Sequence, residues 1–596
     1  MVTRIPLKTL NILISLWLSL FLASHSSAES PAPNQAGILP EVSSLEGVQI
    51  SSRSNKGSTG MGLAGIADWS TQFPFIDLMK QARPWQDWFN KVKGFDTDEN
   101  DWLRSLKPGQ TAGTVFLAVD DASVLPFSRV HVYYEGEGRI KYTWSARKDS
   151  RASNVERDVV HVGRGAHLLV IEETNPANPI RNIRIIPEKY VADYKAGRIF
   201  NPQWLPYVSN FQAFRFMDWM DTNASEQALW ADRPRQSHRT WRSHGGVPLE
   251  VMLQLVNTLK VDAWFNIPHL ADIDYMRSFA KVVKEKLHPT LRVYIEHSNE
   301  MWNWGFKQAQ YGNQAARKRW GDIGNAFMQW HGMRTAQMCE VFKEEVFSDR
   351  KQRVKCVLGV HTGWRNLQKA AMECPLWVKE GNKPCHQYGI DYLAITTYFN
   401  GGLIGPPRHK KNIQHEAILR EWMKEKDGGL RLAFEQLETG AHLKSLPKFK
   451  EYKGVYHETL DKMQYWVSYA KKFNMGVVAY EGGQHISSNG LSMFGDKDIV
   501  DFHIAINRDP RMENVYRDFL RAWKEGGGEL HVHFVDVAVP SKHGSWGSLE
   551  HLNQGTSPQW RAISDFNDNQ SCWWKGCKGI SQKSSNQKSS TPSSFK

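Results

Sequence analysis

The sequence predicts an α/β fold, a (β/α)8 TIM barrel with an all-β domain inserted after the first barrel strand. Three observations carry this expectation. Short apolar stretches alternate with long amphipathic segments, the pattern of βα units around a parallel sheet, and the short stretches number eight. Helical periodicity fills the gaps, as in "IDYMRSFAKVVKEKL" and "NAFMQWHGMRTAQMCEVFKEEVF". The first gap alone departs from this, reading as alternating short strands with turn residues and no helix.

In chain order the strand candidates are "GMGLAGIA" (60–67), "AFRFMDW" (213–219), "DAWFNIP" (262–268), "RVYIEHSN" (292–299), "KCVLGVHT" (355–362), "DYLAITTYF" (391–399), "GVVAYEGG" (476–483) and "LHVHFVDV" (530–537). The exceptional gap holds "TVFLAVDD", "SRVHVYYEG", "RIKYTWSA", "RDVVHVG", "HLLVIEET" and "IRNIRIIP", which predict a β-sandwich-like module over 108–189. The barrel would then occupy 59–107 and 190–569. Buttressing of the barrel is the plainer role for the insert, and glycan contact the other.

The ends read differently again. Residues 1–28 carry Arg4 and Lys8, then "LNILISLWLSLFLA", then small residues, the order of a secretory signal peptide. Residues 29–58 are a Ser-, Pro- and Gly-rich leader, and 570–596 a tail whose last part has the composition of disorder. The signal places the protein outside the cell or in the periplasm, and no later apolar run has the length of a membrane span.

The formal charge of +13 loses Arg4 and Lys8 with the signal. No basic recognition helix or RNA-binding signature accompanies the rest, so the excess reads as a solubility surface and nucleic acid is not an expected partner. All six cysteines lie in the exported part, where disulfides form. Cys374–Cys385 and Cys572–Cys577 are the local pairings, with Cys339 and Cys356 left over, although six cysteines allow fifteen connectivities.

In such a barrel the C-terminal strand ends share one bowl, where the active site is expected. Those ends offer Arg215, His269, Asn299 with Glu300, His361, Tyr398, Glu481 and His533. Glu300 and Glu481 close strands four and seven. Glycoside hydrolysis needs a pair of this kind, a protonated acid for the leaving oxygen and a carboxylate that attacks the anomeric carbon or activates water.

The segment "EHSNEMWNW", with Glu296 four residues before Glu300, is similar to the strand-four Asn-Glu motif of the retaining glycosidases called clan GH-A, and "VVAYEGGQH" resembles the strand-seven nucleophile segment of that clan. The likeness spans roughly 60–550 without the insert. It implies that Glu300 is the acid/base and Glu481 the nucleophile, that Asn299 bonds a sugar 2-hydroxyl, and that Tyr398 and Arg215 contact Glu481 and hold it ionised. His269 and His361 match by position only. One departure stands out: the clan usually ends strand eight on a tryptophan platform, whereas this chain has His533 and Phe534 there, with Trp546 about ten residues further on, where it could fold over the sugar as a substrate contact.

Each signal has a plainer alternative. Glu300 could cap a helix near Met301, and Glu481 with Gly482 and Gly483 could form a turn. Trp302 is read as packed between helix and strand, and Trp304 as equally able to stack on a sugar. "HVH" at 531–533 lacks a third metal ligand, so His533 is read as a sugar or carboxylate contact. "CWWKGC" at 572–577 reads as a staple. Weighed together, these features point to a secreted retaining glycoside hydrolase of β-linked polysaccharides or oligosaccharides, using neither metal nor organic cofactor. A transglycosylase with the same acids and a non-catalytic carbohydrate-binding envelope protein are the alternatives. The sugar, the linkage and endo or exo action stay open at this level.

Overall fold

The structure is a computed structural model in which residues 57–243, 245–407, 413–574 and 577 are described. The signal peptide, all of the leader but its last two residues and the tail beyond residue 577 lie outside them.

Eight parallel strands form one sheet: β1 (Gly60–Gly62), β2 (Ala213–Arg215), β3 (Asp262–Ile267), β4 (Val293–His297), β5 (Val354–Gly359), β6 (Tyr392–Phe399), β7 (Gly476–Gln484) and β8 (Val532–Phe534). Neighbours pair in sequence order, and β8 returns to β1 with Gly60 opposite Val532. The sheet also closes between its ends, where the Ala479 amide donates to the Leu530 carbonyl at 2.9 Å and the Glu529 amide to the Val477 carbonyl at 2.9 Å. All eight predicted strands are present, and several stop early. β1 ends at Gly62: the Leu63 amide still reaches the Arg215 carbonyl at 3.3 Å, and the Ala64 amide turns instead to a side chain, Asp536 Oδ1, at 2.8 Å. β8 leaves the sheet where the Val535 amide bonds the Trp546 carbonyl at 2.8 Å.

The longer helices are α1 (Leu249–Leu259), α2 (Ile273–Lys286), α3 (Lys307–Trp320), α4 (Ala326–Glu340), α5 (Leu367–Glu373), α6 (Ile413–Trp422), α7 (Leu430–Thr439), α8 (Val455–Lys471), α9 (Lys497–Arg508), α10 (Met512–Glu525) and α11 (Pro558–Asn569). α2 shows why such segments fold. Asp272 accepts from the Tyr275 amide at 2.6 Å as N-cap, while Lys284 and Lys286 sit at the negative end of the helix dipole. Tyr275, Met276, Phe279, Ala280 and Val283 form its buried stripe.

Between β1 and β2 the chain builds antiparallel sheets. Ala112–Val119, Gly165–Thr174 and Gly138–Trp144 make one, Arg181–Pro187, Arg129–Glu135, Asp158–His161 and Arg147–Lys148 another, and Asp96–Thr97 pairs with Leu103–Ser105. The residues that follow β1 are laced into them. The Arg83 amide donates to Val115 O at 2.9 Å, Gln86 pairs with Gly113, and Asp77 Oδ1 accepts from the Ile185 amide at 2.9 Å. Phe116, Leu117 and Val130 belong to the same continuous core as the barrel strands.

Two disulfides are formed, Cys374–Cys385 with Cα atoms 5.8 Å apart and Cys572–Cys577 at 5.6 Å. Cys339 and Cys356 are buried thiols. Among the described residues no helix is long and apolar enough to cross a membrane.

Candidate active site

The site is organised by one buried cation. Arg215, at the end of β2 and 2% exposed, donates through Nε and Nη2 to the two oxygens of Glu296 (3.0 and 3.2 Å). Nη2 also donates to Asn299 Oδ1 at 2.9 Å, and Nη1 to Glu481 Oε1 at 2.8 Å. A guanidinium withdrawn from water needs such compensation, and here two carboxylates supply it through bonds whose planar geometry fits the arginine fork. Glu296, on β4, is anchored in turn by Trp264 Nε1 and Asn266 Nδ2, each 2.9 Å from Oε2. Burial raises its carboxyl pKa and Arg215 opposes the rise.

Glu481 receives a second donor on its other oxygen, the Tyr398 hydroxyl at 3.0 Å. Burial pushes the Glu481 carboxyl up to about 7; Arg215 pulls it back, while Glu300 and Asp218 push it further. The Tyr398 hydroxyl, buried beside that charge, has its own pKa raised and stays a donor. Gly482 and Gly483 make no turn here, since β7 runs on to Gln484. They let two layers touch: a Cβ at Gly482 would lie 2.0 Å from Thr397 Oγ1 and 2.5 Å from His531 Nε2.

Among the described residues, Glu300 is held by neutral donors only. The Tyr480 hydroxyl donates to Oε1 at 2.8 Å and Asn303 Nδ2 to Oε2 at 2.8 Å. Its backbone has φ of 42°, and Ser298 has 57°, left-handed values uncommon in non-glycine residues, at the turn where β4 ends. α3 begins at Lys307 with Phe306 as its cap residue, so Glu300 caps no helix.

Tyr480 and Glu481 are consecutive on a strand, and strict alternation would send them to opposite faces. A register shift resolves this: Ile395 pairs with Ala479 but Thr396 with Glu481, leaving Tyr480 as the extra residue of a bulge. Both side chains thereby reach the same strand-end cluster, Tyr480 toward Glu300 and Glu481 toward Arg215 and Tyr398.

The other expected residues divide. Asn299 joins the cluster, its Nδ2 donating to Asn223 Oδ1 at 3.1 Å, with Gln308 Nε2 bridging Asn223 Oδ1 (2.7 Å) and the Asn299 carbonyl (3.0 Å). His361 sits at the end of β5, its Nδ1 accepting from the Gly363 and Trp364 amides at 3.1 and 2.8 Å. Trp302 is buried between His331, His361 and Tyr480, whereas Trp304 is 46% exposed against Phe327. Trp546 donates from Nε1 to His485 Nδ1 at 3.1 Å and stacks on that ring, which packs on Tyr398; Phe534 meets both Tyr398 and Trp546. His269 is buried with its ring edge-on to Tyr311 and its pKa lowered to about 4 by burial; it contacts neither acid.

His533 is a correction. Its ring packs on Tyr516 of α10, behind Gly483, and burial lowers its pKa to about 3. Alternation along β8 is the reason: Phe534 takes the mouth-facing position and His533 the outer one, as His531 does against Phe519 and Trp523.

Several members of the cluster gave no sign in the sequence. Asn266, Trp264 and Gln308 bond it from neighbouring elements, and Asp218, three residues beyond Arg215, adds a carboxylate raised to about 6 by burial. Only Tyr480 and Asn303 carried a usable signal, their adjacency to the two acids.

No family model and no curated protein matches the chain. Among solved structures it is similar to the CBM22-1–GH10 modules of the Clostridium thermocellum N-terminal endo-1,4-β-D-xylanase 10B, at 10% identity over 84% of this chain and 96% of that one, with a TM-score of 0.30. Xylanase 10C from Cellvibrio japonicus matches at 9% identity, 82% and 98% coverage and a TM-score of 0.31. A β-glucosidase from Thermotoga maritima matches at 11%, 61% and 85%, with 0.27. Likenesses this remote do not bear on what the chain acts upon.

Proposed function

We propose that this chain is an exported retaining glycoside hydrolase that cleaves β-glycosidic bonds of a polysaccharide or oligosaccharide. One observation carries the reading: of two strand-end carboxylates, Glu481 holds both a buried arginine and a tyrosine hydroxyl, while Glu300 holds, among the described residues, only neutral donors. A nucleophile needs its charge kept and its lone pair aimed; an acid/base must gain and lose a proton without a cation pinning it as carboxylate.

In the first step a Glu481 oxygen attacks the anomeric carbon as the leaving oxygen departs with the Glu300 proton. In the second, Glu300 takes a proton from water, whose oxygen displaces Glu481 from the sugar. Asn299, oriented by Arg215 and Asn223, keeps an amide hydrogen for a sugar hydroxyl. Disulfides support export, since they persist in oxidising compartments. The β-rich segment after β1 acts as a buttress of the barrel in this reading.

The test is a panel of β-glucans, mannans, xylans, galactans and uronic-acid polymers, with products read by mass. Cleavage of at least one is expected, with Glu481→Gln and Glu300→Gln each slower by several orders of magnitude while still folding cooperatively. A panel left intact, or a variant with near-normal turnover, would overturn the reading. Products longer than the substrate would assign the same acids to transglycosylation.

A further inference from the structure

Beside Glu300 the surface changes character. Trp304 and Trp364 are 46% and 48% exposed, among the few large apolar side chains left in water. They are not scattered. Both rings pack on the buried Phe327 at the start of α4, with centroids 4.9 and 6.4 Å away. Isolated exposed apolar residues need no explanation, but two tryptophans gathered on one buried ring form a patch, and such patches mark contact sites.

The patch is tied to the acid on both sides. Trp304 follows Asn303, whose amide donates to Glu300 Oε2 and whose backbone closes a turn onto the Glu300 carbonyl at 2.8 Å. Trp364 donates its amide to His361 Nδ1 at 2.8 Å, and the His361 ring meets both Trp364 (6.4 Å) and the buried Trp302 (6.2 Å). Trp302 also contacts Tyr480, the donor to Glu300. The platform therefore continues directly from the residues that aim the acid.

We infer that Trp304 and Trp364 form the leaving-group platform, carrying the sugar that departs with the proton from Glu300. This rests on the glycosidase reading above. The chemistry selects the occupant. An acid/base faces the oxygen between the two sugars, so a surface joined to Glu300 through Asn303, and through His361 and Trp302 to its donor Tyr480, meets the leaving side. One face of a β-linked pyranose presents axial C–H groups, an apolar plane that a flat indole covers while the hydroxyl rim stays in water. No charged side chain is needed for this, which favours a neutral pyranose over a uronate at that position.

The experiment compares two leaving groups on the same glycone. Trp304→Ala, Trp364→Ala and the double variant are assayed on oligosaccharides of the sugar found by the panel and on its nitrophenyl β-glycoside. Both side chains are half in water, so melting temperatures should match that of the unaltered protein. On oligosaccharides, kcat/KM should fall about 10-fold for each variant and further for the double, mainly through KM. On the nitrophenyl glycoside, which leaves without a sugar, it should stay within about twofold. Equal losses on both substrates, or no loss on oligosaccharides while Glu481→Gln is inactive, would overturn the platform and leave the glycosidase reading standing. A panel with no substrate, together with no oligosaccharide binding by calorimetry, would remove both.

Discussion

Arg215 joins Glu296, Asn299 and Glu481 through a single side chain, so its loss strands two buried carboxylates at once. Breaking a buried ion pair by removing one partner costs about 3–5 kcal/mol. Arg215→Ala should therefore lower the unfolding free energy by about that amount in a urea titration and abolish turnover. Titration of Glu481 belongs at the same scale. Its pKa of about 7 lies above the ordinary carboxylate value, chiefly through burial, and a nucleophile works only when ionised. Hence, with Glu481 as the proposed nucleophile, kcat/KM should decline as pH falls through about 7. Asp218→Asn removes one of the charges that raise this pKa, so the acid limb should move to lower pH. A limb that stays in place would mean that Asp218 does not act on Glu481.

At the scale of elements, β7 decides the site by an irregularity. The bulge at Tyr480 places two consecutive side chains in one cluster, and nothing in "GVVAYEGG" announces it, because a bulge is set by the partner strand as much as by its own residues. β8 shows the converse: its alternation was legible, and following it through would have turned His533 outward. The segment 108–189 shows how far an insertion can merge with its host. Its strands were readable from period-2 patterning, but their hydrogen bonds to Arg83, Gln86 and Asp77 tie them to chain that precedes them. Excising 108–189 with a short linker would strip partners from those backbone groups and expose the shared core. The expected result is loss of a cooperative thermal transition by circular dichroism; a sharp melt of the shortened protein would show the barrel to be self-sufficient.

For the whole molecule the decisive measurement is stereochemical. Double displacement by carboxyl groups about 5–5.5 Å apart retains configuration, whereas an inverting pair stands about 6.5–9.5 Å apart to admit water. Proton NMR of a β-glycan digest, read before mutarotation, should show the β anomer first; initial α product would refute the nucleophile assignment. The sequence by itself determined the eight parallel strands and their order, the two local disulfides, and the arrival of Glu300, Glu481, Arg215 and Tyr398 at strand ends. Each of these is encoded locally, in hydrophobic period, in cysteine spacing, or in the last residue of an apolar run. Only the tertiary structure decided that Glu296 shares Arg215 with Glu481, that Tyr480 reaches Glu300, and that Trp364 meets Trp304 over Phe327. Those contacts join residues tens to hundreds of positions apart, and they depend on strand register and side-chain reach across the closed barrel, which no local pattern specifies.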